Sequence, residues 1–356
     1  MDGISRRLGA GLLAAGLTIS GMSSQASQLL FPYVVNSTTV TTILSVANLT
    51  PPGHPGGGDQ FLRHVYMYKS GAASGAQDAL CARTPTIQLS SAPNDIQTFD
   101  VGGYFGAGTR GILFDDPSSN NNWNSGLQTW ASLAGLAPVR AYGVIDNNSN
   151  DDADFWPAPY LYGEAFIYEF GSGAAWGYQA LEDSGNGGGI DTDFTNNHRL
   201  PSAFIPNTRF SFMPTPEFNT RFFVTPIASE MTDINAQGRI GIFPWVGEDL
   251  AGYDRDGNPV PGYVEQRATC VAGLSIESML TNSAASALQN GGWAYLLLSP
   301  TGGKFGGDLP GTVGAASASI IKLEFNKGAT FNGETVGGVF NNALMLKGHA
   351  FSFEKL

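Results

Sequence analysis

The chain reads as an all-β protein of antiparallel β-sandwich architecture, either one large sandwich or two stapled together, with two short helices. Three observations predict this. Short β-branched and aromatic runs recur along its whole length, bounded by clusters of Gly, Pro, Asn and Asp. Gly (47) and Pro (20) are plentiful. Charged residues make up only 13%, about half the ~25% usual for soluble domains, whereas helical surfaces are generally built from Glu and Lys. At 356 residues there is chain enough for one large or two ordinary domains.

Residues 1–26 carry the marks of a signal peptide. Arg6-Arg7 is followed by an apolar run over 8–19, and Ser24 and Ala26 are small residues at the two positions a signal peptidase inspects. The run is too short to span a bilayer comfortably. Gly9 stands where a twin-arginine signal wants an apolar residue, so ordinary export is expected, to the periplasm, cell surface or extracellular space. No later segment reads as a transmembrane helix.

Strands are expected at 29–35 and 38–47 around an Asn36-Ser37 turn, then at 61–69, 84–89 and 96–101. This spacing resembles an immunoglobulin-type module over 27–115, although the module lacks the diagnostic Trp and internal cysteine pair. Trp123, Leu127, Trp130 and Leu133 fall at helical spacing. A larger β-rich domain is expected over 125–356, with the boundary in the polar loop at 115–124. Within it, strands are read at 139–145, 160–170 and 174–181, the last two joined by Gly171-Ser172-Gly173. Further strands are read at 209–213, 221–226, 238–244, 263–272, 293–298, 319–325 and 343–353. A second helix is expected over 275–289, capped by Ser275 and stopped by Gly291-Gly292.

Cys81 and Cys270 are the only cysteines. In an oxidising compartment such a pair is most simply a disulfide. Closing so long a loop is worth roughly 4–5 kcal/mol in the chain-entropy account. Two cysteines and four scattered histidines supply no zinc-like spacing.

The stretch over 139–170 is where chemistry concentrates. Asp146, Asn148 and Asn150 match the first alternating ligand positions of a calcium loop, and Asp152 and Asp154 continue the period. Asp151 replaces the turn glycine and Pro157 the closing glutamate, which excludes an EF-hand and leaves a generic calcium loop as a candidate. Asp254, Asp256 and Asn258, with Glu265 beyond, form a second oxygen cluster. There Asp256-Gly257 already reads as a tight turn. No cofactor is required by any of these residues, and Ca2+ is the one ion that they suggest.

Glu164 and Glu169 are the candidate carboxylates for acid–base work on a glycan. Strand alternation sends them to opposite faces, Glu164 joining Tyr162, Phe166, Tyr168 and Phe170. They cannot flank one glycosidic bond, so Glu164 is the single weak catalytic candidate. Neither a Gly-x-Ser-x-Gly elbow nor a phosphate-binding glycine loop is present. Asn36, Asn48 and Asn147 begin glycosylation sequons.

The net charge of −12 argues against nucleic acid as a partner. The expected role is structural or adhesive at the cell surface or in the extracellular matrix, without catalysis, through self-association or through other surface proteins or glycans. A glycan-binding or glycan-hydrolysing protein is the first alternative. An outer-membrane barrel is the second, disfavoured by irregular strand alternation and by a chain ending in Glu-Lys-Leu.

Overall fold

The computed structural model describes residues 28–49, 60–102, 133, 136–146, 161–170, 174–183, 208–228, 231–232, 235–242, 250–300, 312–315, 317–327, 329–331, 334–336 and 341–346. The first half supplies β1 (Gln28–Asn36), β2 (Val40–Asn48), β3 (Gln60–Ser70), β4 (Ala82–Arg83) and β5 (Ile87–Ser91). It continues with β6 (Ile96–Asp100), β7 (Val139–Asp146), β8 (Leu161–Glu169), β9 (Ala174–Gln179) and β10 (Leu181–Asp183). These make two sheets. The first inner sheet runs β10-β1-β7-β3-β4, with β5 also on β3, and the first outer sheet runs β6-β2-β8-β9.

The turn after β1 closes no hairpin. It carries the chain from the inner to the outer sheet, and Ser37 Oγ accepts from the backbone N–H groups of Thr39 and Val40 at 3.2 Å each. The two sheets then face each other across a core of Leu29, Phe31 and Leu62 on one side and Leu44, Phe99 and Ala165 on the other. Gly163 lies beneath Phe31, whose ring would sit 2.6 Å from any Cβ placed there. β7 pairs with both β1 and β3. The first sandwich therefore runs to Asp183, and the expected boundary at 115–124 falls inside it. Sequence pattern misses this because the central strand of a sheet can come late in the chain.

The second half supplies β11 (Thr208–Phe212), β12 (Phe218–Ile227), β13 (Asn235–Ile242), β14 (Leu250–Asp254), β15 (Pro259–Pro261), β16 (Gln266–Thr269) and β17 (Ala272–Ser275). After α1 (Asn282–Ala287) come β18 (Gly292–Pro300), β19 (Thr312–Gly314), β20 (Ser317–Asn326), β21 (Ala329–Phe331), β22 (Glu334–Val336) and β23 (Asn341–Leu346). The second inner sheet runs β17-β12-β20-β23. The second outer sheet runs β15-β14-β18-β13-β16, with β11 on β18 and β19 parallel to β13. Phe210, Phe222, Ile240, Leu296 and Ile320 lie in the core between them.

The helix expected over 275–289 is shorter than its apolar spacing suggests. Ser275 ends β17, paired with Arg221 of β12, and its hydroxyl accepts from the N–H of Ser278 at 3.2 Å. Strand pairing thus claims the expected cap, Glu277–Met279 make only a 3-10 turn, and Leu280 is extended and bridged to Tyr263. Thr281 is the actual N-cap, its side chain accepting from Ala284 N. The helix expected over 123–136 lies almost wholly outside the described residues.

The two sandwiches are stacked, with a third apolar core between their inner sheets that Ile167 of β8 and Trp176 of β9 also join, Trp176 stacking on Phe223 at 5.7 Å. Leu30, Tyr33, Tyr142 and Val144 of the first inner sheet meet Phe223, Ile227, Ile321 and Leu323 of the second. This explains why β1 reads as a nearly continuous apolar run, since both its faces are buried. Thr225 Oγ1 donates across the junction to the carbonyl of Pro32, and the Tyr142 hydroxyl donates to the carbonyl of Met231. The Cys81–Cys270 disulfide lies in the same junction, with a Cα–Cα distance of 6.1 Å. Cys270 has φ +60 where the chain leaves β16 in the outer sheet for β17 in the inner one, a corner of the kind that closes one side of a sandwich. The Asn235 side chain secures the other cysteine, accepting from Cys81 N at 2.7 Å and donating to its carbonyl at 3.2 Å.

Among the described residues no helix is long and apolar enough to cross a membrane. The described strands form sheets facing one another across apolar cores.

Candidate functional site

Glu164 sits in the middle of β8 on the outward face of the first outer sheet. The burial of β8 alternates. Leu161, Gly163, Ala165 and Ile167 are buried, while Tyr162, Glu164 and Tyr168 are half-buried and Phe166 is 39% exposed. The expected grouping of Glu164 with Tyr162, Phe166 and Tyr168 therefore holds. Register fixes its cross-strand neighbours. Ser45 stands opposite on β2 and Gln179 opposite on β9, and Thr98 of β6 stands opposite Ser45. The Tyr162 hydroxyl donates to Glu164 Oε1, and Ser45 Oγ lies 3.0 Å from Thr98 Oγ1. Hydroxyls and an amide flank this carboxylate on the neighbouring strands, and no second carboxylate does so in register. Glu169 belongs to the opposite face, near Tyr33.

Sequence pattern makes Phe166 only one of an aromatic set, but its seating is particular. Gly177 is its partner on β9, and a Cβ there would lie 3.2 Å from the Phe166 ring. The ring thus covers bare backbone. Toward Thr41 and Asp100 the same face closes over, both residues being buried and hydrogen-bonded to each other through Thr41 Oγ1 and Asp100 Oδ1.

The acidic loop begins at Asp146, the last residue of β7. Its carboxylate is buried and held by Arg63, directly opposite on β3, with Nε to Oδ1 at 2.8 Å and Nη2 to Oδ2 at 3.3 Å. Asn148, Asn150, Asp152 and Asp154 lie outside the described residues. In the second cluster Asp254 Oδ1 accepts from the N–H groups of Asp256 and Asn258 at 2.9 and 2.8 Å, and Oδ2 accepts from Asn258 Nδ2 at 2.9 Å. The Asn258 side chain, then the backbone N–H groups of the turn, hold the Asp254 carboxyl below its ordinary range. Gly257 has φ +83, and β14 pairs with β15 on either side, so these residues build a hairpin turn. Glu265 lies farther along, near Gly241 of β13.

Several polar residues are more deeply placed than alternation alone implies. His64 shares the first core with Phe99, the rings edge to face at 5.4 Å. Burial drives its pKa down to about 3, opposed by a hydrogen bond with Gln97. Lys69 is buried on the opposite face of β3 and stands beside Arg140 of β7. Burial and the Arg140 guanidinium push its ammonium down to about 7, while it donates to the carbonyls of Ala76 and Gln77 at 3.0 and 3.3 Å. Arg140 itself reaches across the junction to the bare backbone of Gly273. Asn36 and Asn48, which begin two sequons, are buried and donate to the carbonyls of Leu133 and Ser91, so neither is presented to a glycosylating enzyme in the folded chain.

The fold and this face define an all-β protein of two stacked sandwiches with an aromatic and hydroxyl-bearing outer sheet. Neither family models, nor curated proteins, nor solved structures gave a match to the chain.

Proposed function

We propose that the protein is an exported structural or adhesive protein of the cell surface or extracellular matrix, working by binding and not by catalysis. One observation carries this reading. The third apolar core, crossed by a disulfide, fuses two sandwiches into a single stack that exposes Phe166 on one outer sheet and Trp293 on the other. Such a body resists unfolding in an oxidising environment and holds each outer face rigidly, which is what a surface contact demands. The environment of Glu164 agrees with it. Acid–base cleavage of a glycoside needs two carboxyl groups about 5–10 Å apart; the register neighbours of Glu164 are Ser45 and Gln179, and Asp100, a carboxylate on the same face, is buried and hydrogen-bonded to Thr41.

The test is fractionation of native cells with an antibody to the folded chain, with light scattering to set its assembly state and a hydrolysis assay on polysaccharides. The expected result is protein in the envelope or extracellular fraction and no release of reducing ends. Protein found in the cytosol, or turnover lost in Glu164→Gln, would overturn the reading.

A further inference from the structure

The outer face of the first sandwich has the chemistry of a sugar-binding platform. Across four strands, Thr98, Ser45, Glu164 and Gln179 form one continuous polar row. Neighbouring strands are spaced about 4.8 Å apart, so the row extends about 14 Å, long enough to follow more than one sugar ring. On either side of it along β8, two residues away in each direction, stand Tyr162 and Phe166. Side chains on one face of a strand repeat about every 6.8 Å, and the polar row is therefore bordered by aromatic rings.

Each component has a role toward a pyranose. An aromatic ring covers the apolar C–H face of a sugar, while its hydroxyls seek acceptors and donors at the ring edge. Tyr162 already donates to Glu164 Oε1, which fixes the carboxylate and leaves its other oxygen to accept from ligand hydroxyls. Ser45 and Thr98 share one hydrogen between them, so one of the two hydroxyls can donate outward. Phe166, laid over Gly177 and 39% exposed, supplies the flat apolar surface.

The second outer sheet offers a contrast. Its aromatic residues are occupied with one another. Tyr253 and Trp293 stack at 4.3 Å and 11°, and the Arg209 guanidinium lies over Tyr295. Those rings stabilise their own sheet as cross-strand pairs; Trp293 keeps 37% exposure, but its register partners are Ser211 and Tyr253, with no carboxylate opposite it.

Charge selects the ligand class. Glu164 is the one ionisable side chain of the polar row, no Lys or Arg belongs to the row or to the rings beside it, and the chain carries a net −12. Uronate, sulfate or phosphate groups would meet repulsion that no described residue of the row or its bordering rings offsets. We infer that this face binds a neutral hexopyranose polysaccharide, lying across the strands along the Thr98–Ser45–Glu164–Gln179 row with Tyr162 and Phe166 against its rings. The inference rests on the binding role proposed above and names its ligand.

The test is affinity electrophoresis of the full chain through gels holding a mixed-linkage β-glucan, xyloglucan, glucomannan or dextran, with polygalacturonate as the anionic control. Retardation is expected on at least one neutral polymer and none on polygalacturonate. Phe166→Ala and Glu164→Ala are each expected to weaken association about tenfold or more, the energetic equivalent of ~1.4 kcal/mol. Tyr162→Phe, which frees the carboxylate to swing, should weaken it by a smaller factor. Unchanged circular dichroism and melting temperature show that each variant is folded. The inference is overturned by passage unretarded through every neutral polymer, by retardation indifferent to Phe166→Ala and Glu164→Ala, or by equal retention on polygalacturonate. It is also overturned if the face mediates self-association, seen as an oligomer that Phe166→Ala dissociates. Envelope protein that binds none of these polymers keeps the surface role and loses this ligand. Glu164-dependent hydrolysis would remove the non-catalytic role while leaving the site.

Discussion

Arg63 and Asp146 face each other across β3 and β7 in a two-pronged ion pair, 2.8 Å at the nearer contact, with both side chains almost sealed from water. By strand alternation they share a face with Met67 and Val144, two residues of the core at the junction between the sandwiches. Removing one partner of a buried pair leaves the other charge without compensation and typically costs about 3–5 kcal/mol. Asp146→Ala is therefore expected to lower the urea-unfolding free energy by about that amount. A loss under ~1 kcal/mol would show that the pair is hydrated and structurally minor.

The same pair bears on the acidic loop. Calcium binding through Asp146 would have to displace a guanidinium already bound to both carboxylate oxygens. The melting temperature is accordingly expected to stay the same in EDTA and in added calcium. The informative variants are Asp152→Ala and Asp154→Ala, because Asp146→Ala disturbs the fold by itself. A melting temperature that falls in EDTA, with the fall abolished by Asp154→Ala, would restore the calcium loop.

Strand identity is the most legible part of this chain. The alternation of residues along β8 is enough to place Glu164 on an aromatic face, and Asp256-Gly257 marks its own turn. Pairing is much less legible, because hydrophobic period reports which residues are buried and not against which sheet. Hence β1 and β2, adjacent in sequence, lie in different layers, and β7, far along the chain from β6, belongs to the first sandwich. The same limit hides the partners of Asp146 and Glu164. Arg63 and Ser45 stand opposite them through register alone, 83 residues away in the first case. The depth of His64 is also hidden, since a polar residue on an alternating strand looks alike whether the layer above it is water or a second sheet.

The disulfide joins residues separated by 189 positions, a loop whose closure is worth roughly 5 kcal/mol in the chain-entropy account and often less in practice. The paired variant Cys81→Ser with Cys270→Ser should unfold at lower guanidinium concentration, with ~3–5 kcal/mol of stability lost. The native fold is expected to persist, because Tyr33, Tyr142, Phe223 and Ile321 still bury the junction. The check is near-ultraviolet circular dichroism before the transition. Two separate transitions in the variant, one per sandwich, would show that the bond and not the apolar core couples the halves.

Inside the second sandwich, Lys322 and Glu324 form another buried pair at 2.9 Å. Glu324 also accepts from Met213 N at 2.9 Å and Thr220 Oγ1 at 3.1 Å, and Lys322 donates to the Ser211 carbonyl at 2.7 Å. Lys322→Met should cost about 3–5 kcal/mol by stranding the carboxylate. Adding Glu324→Gln removes that charge while keeping an acceptor for Met213 N. The double variant is therefore expected to be more stable than Lys322→Met alone, by at least ~1 kcal/mol in a denaturant double-mutant cycle. Additive losses would mean that the two side chains act independently.

Acid sensitivity follows from His64. Its pKa is about 3 in the fold, depressed by burial, against about 6.5 in an unfolded chain. Above pH 6.5 the imidazole is neutral in both states and contributes no pH dependence. Between pH 6.5 and about 3 the unfolded chain takes up a proton that the folded one refuses, so stability falls as pH falls, by up to ~1.4 kcal/mol per pH unit. Stability is thus expected to drop by about 2.3 kcal/mol from pH 6.5 to 4.5 through this residue alone. Carboxylates titrate over part of the same range, and a variant without the imidazole isolates the histidine. In His64→Leu the urea midpoint should decline less steeply over that interval, the two curves converging as pH falls even if the variant begins less stable near neutrality. Parallel curves would mean that His64 is protonated in the folded protein with little penalty, and that its place beside Phe99 is wetter than the packing of the first core implies.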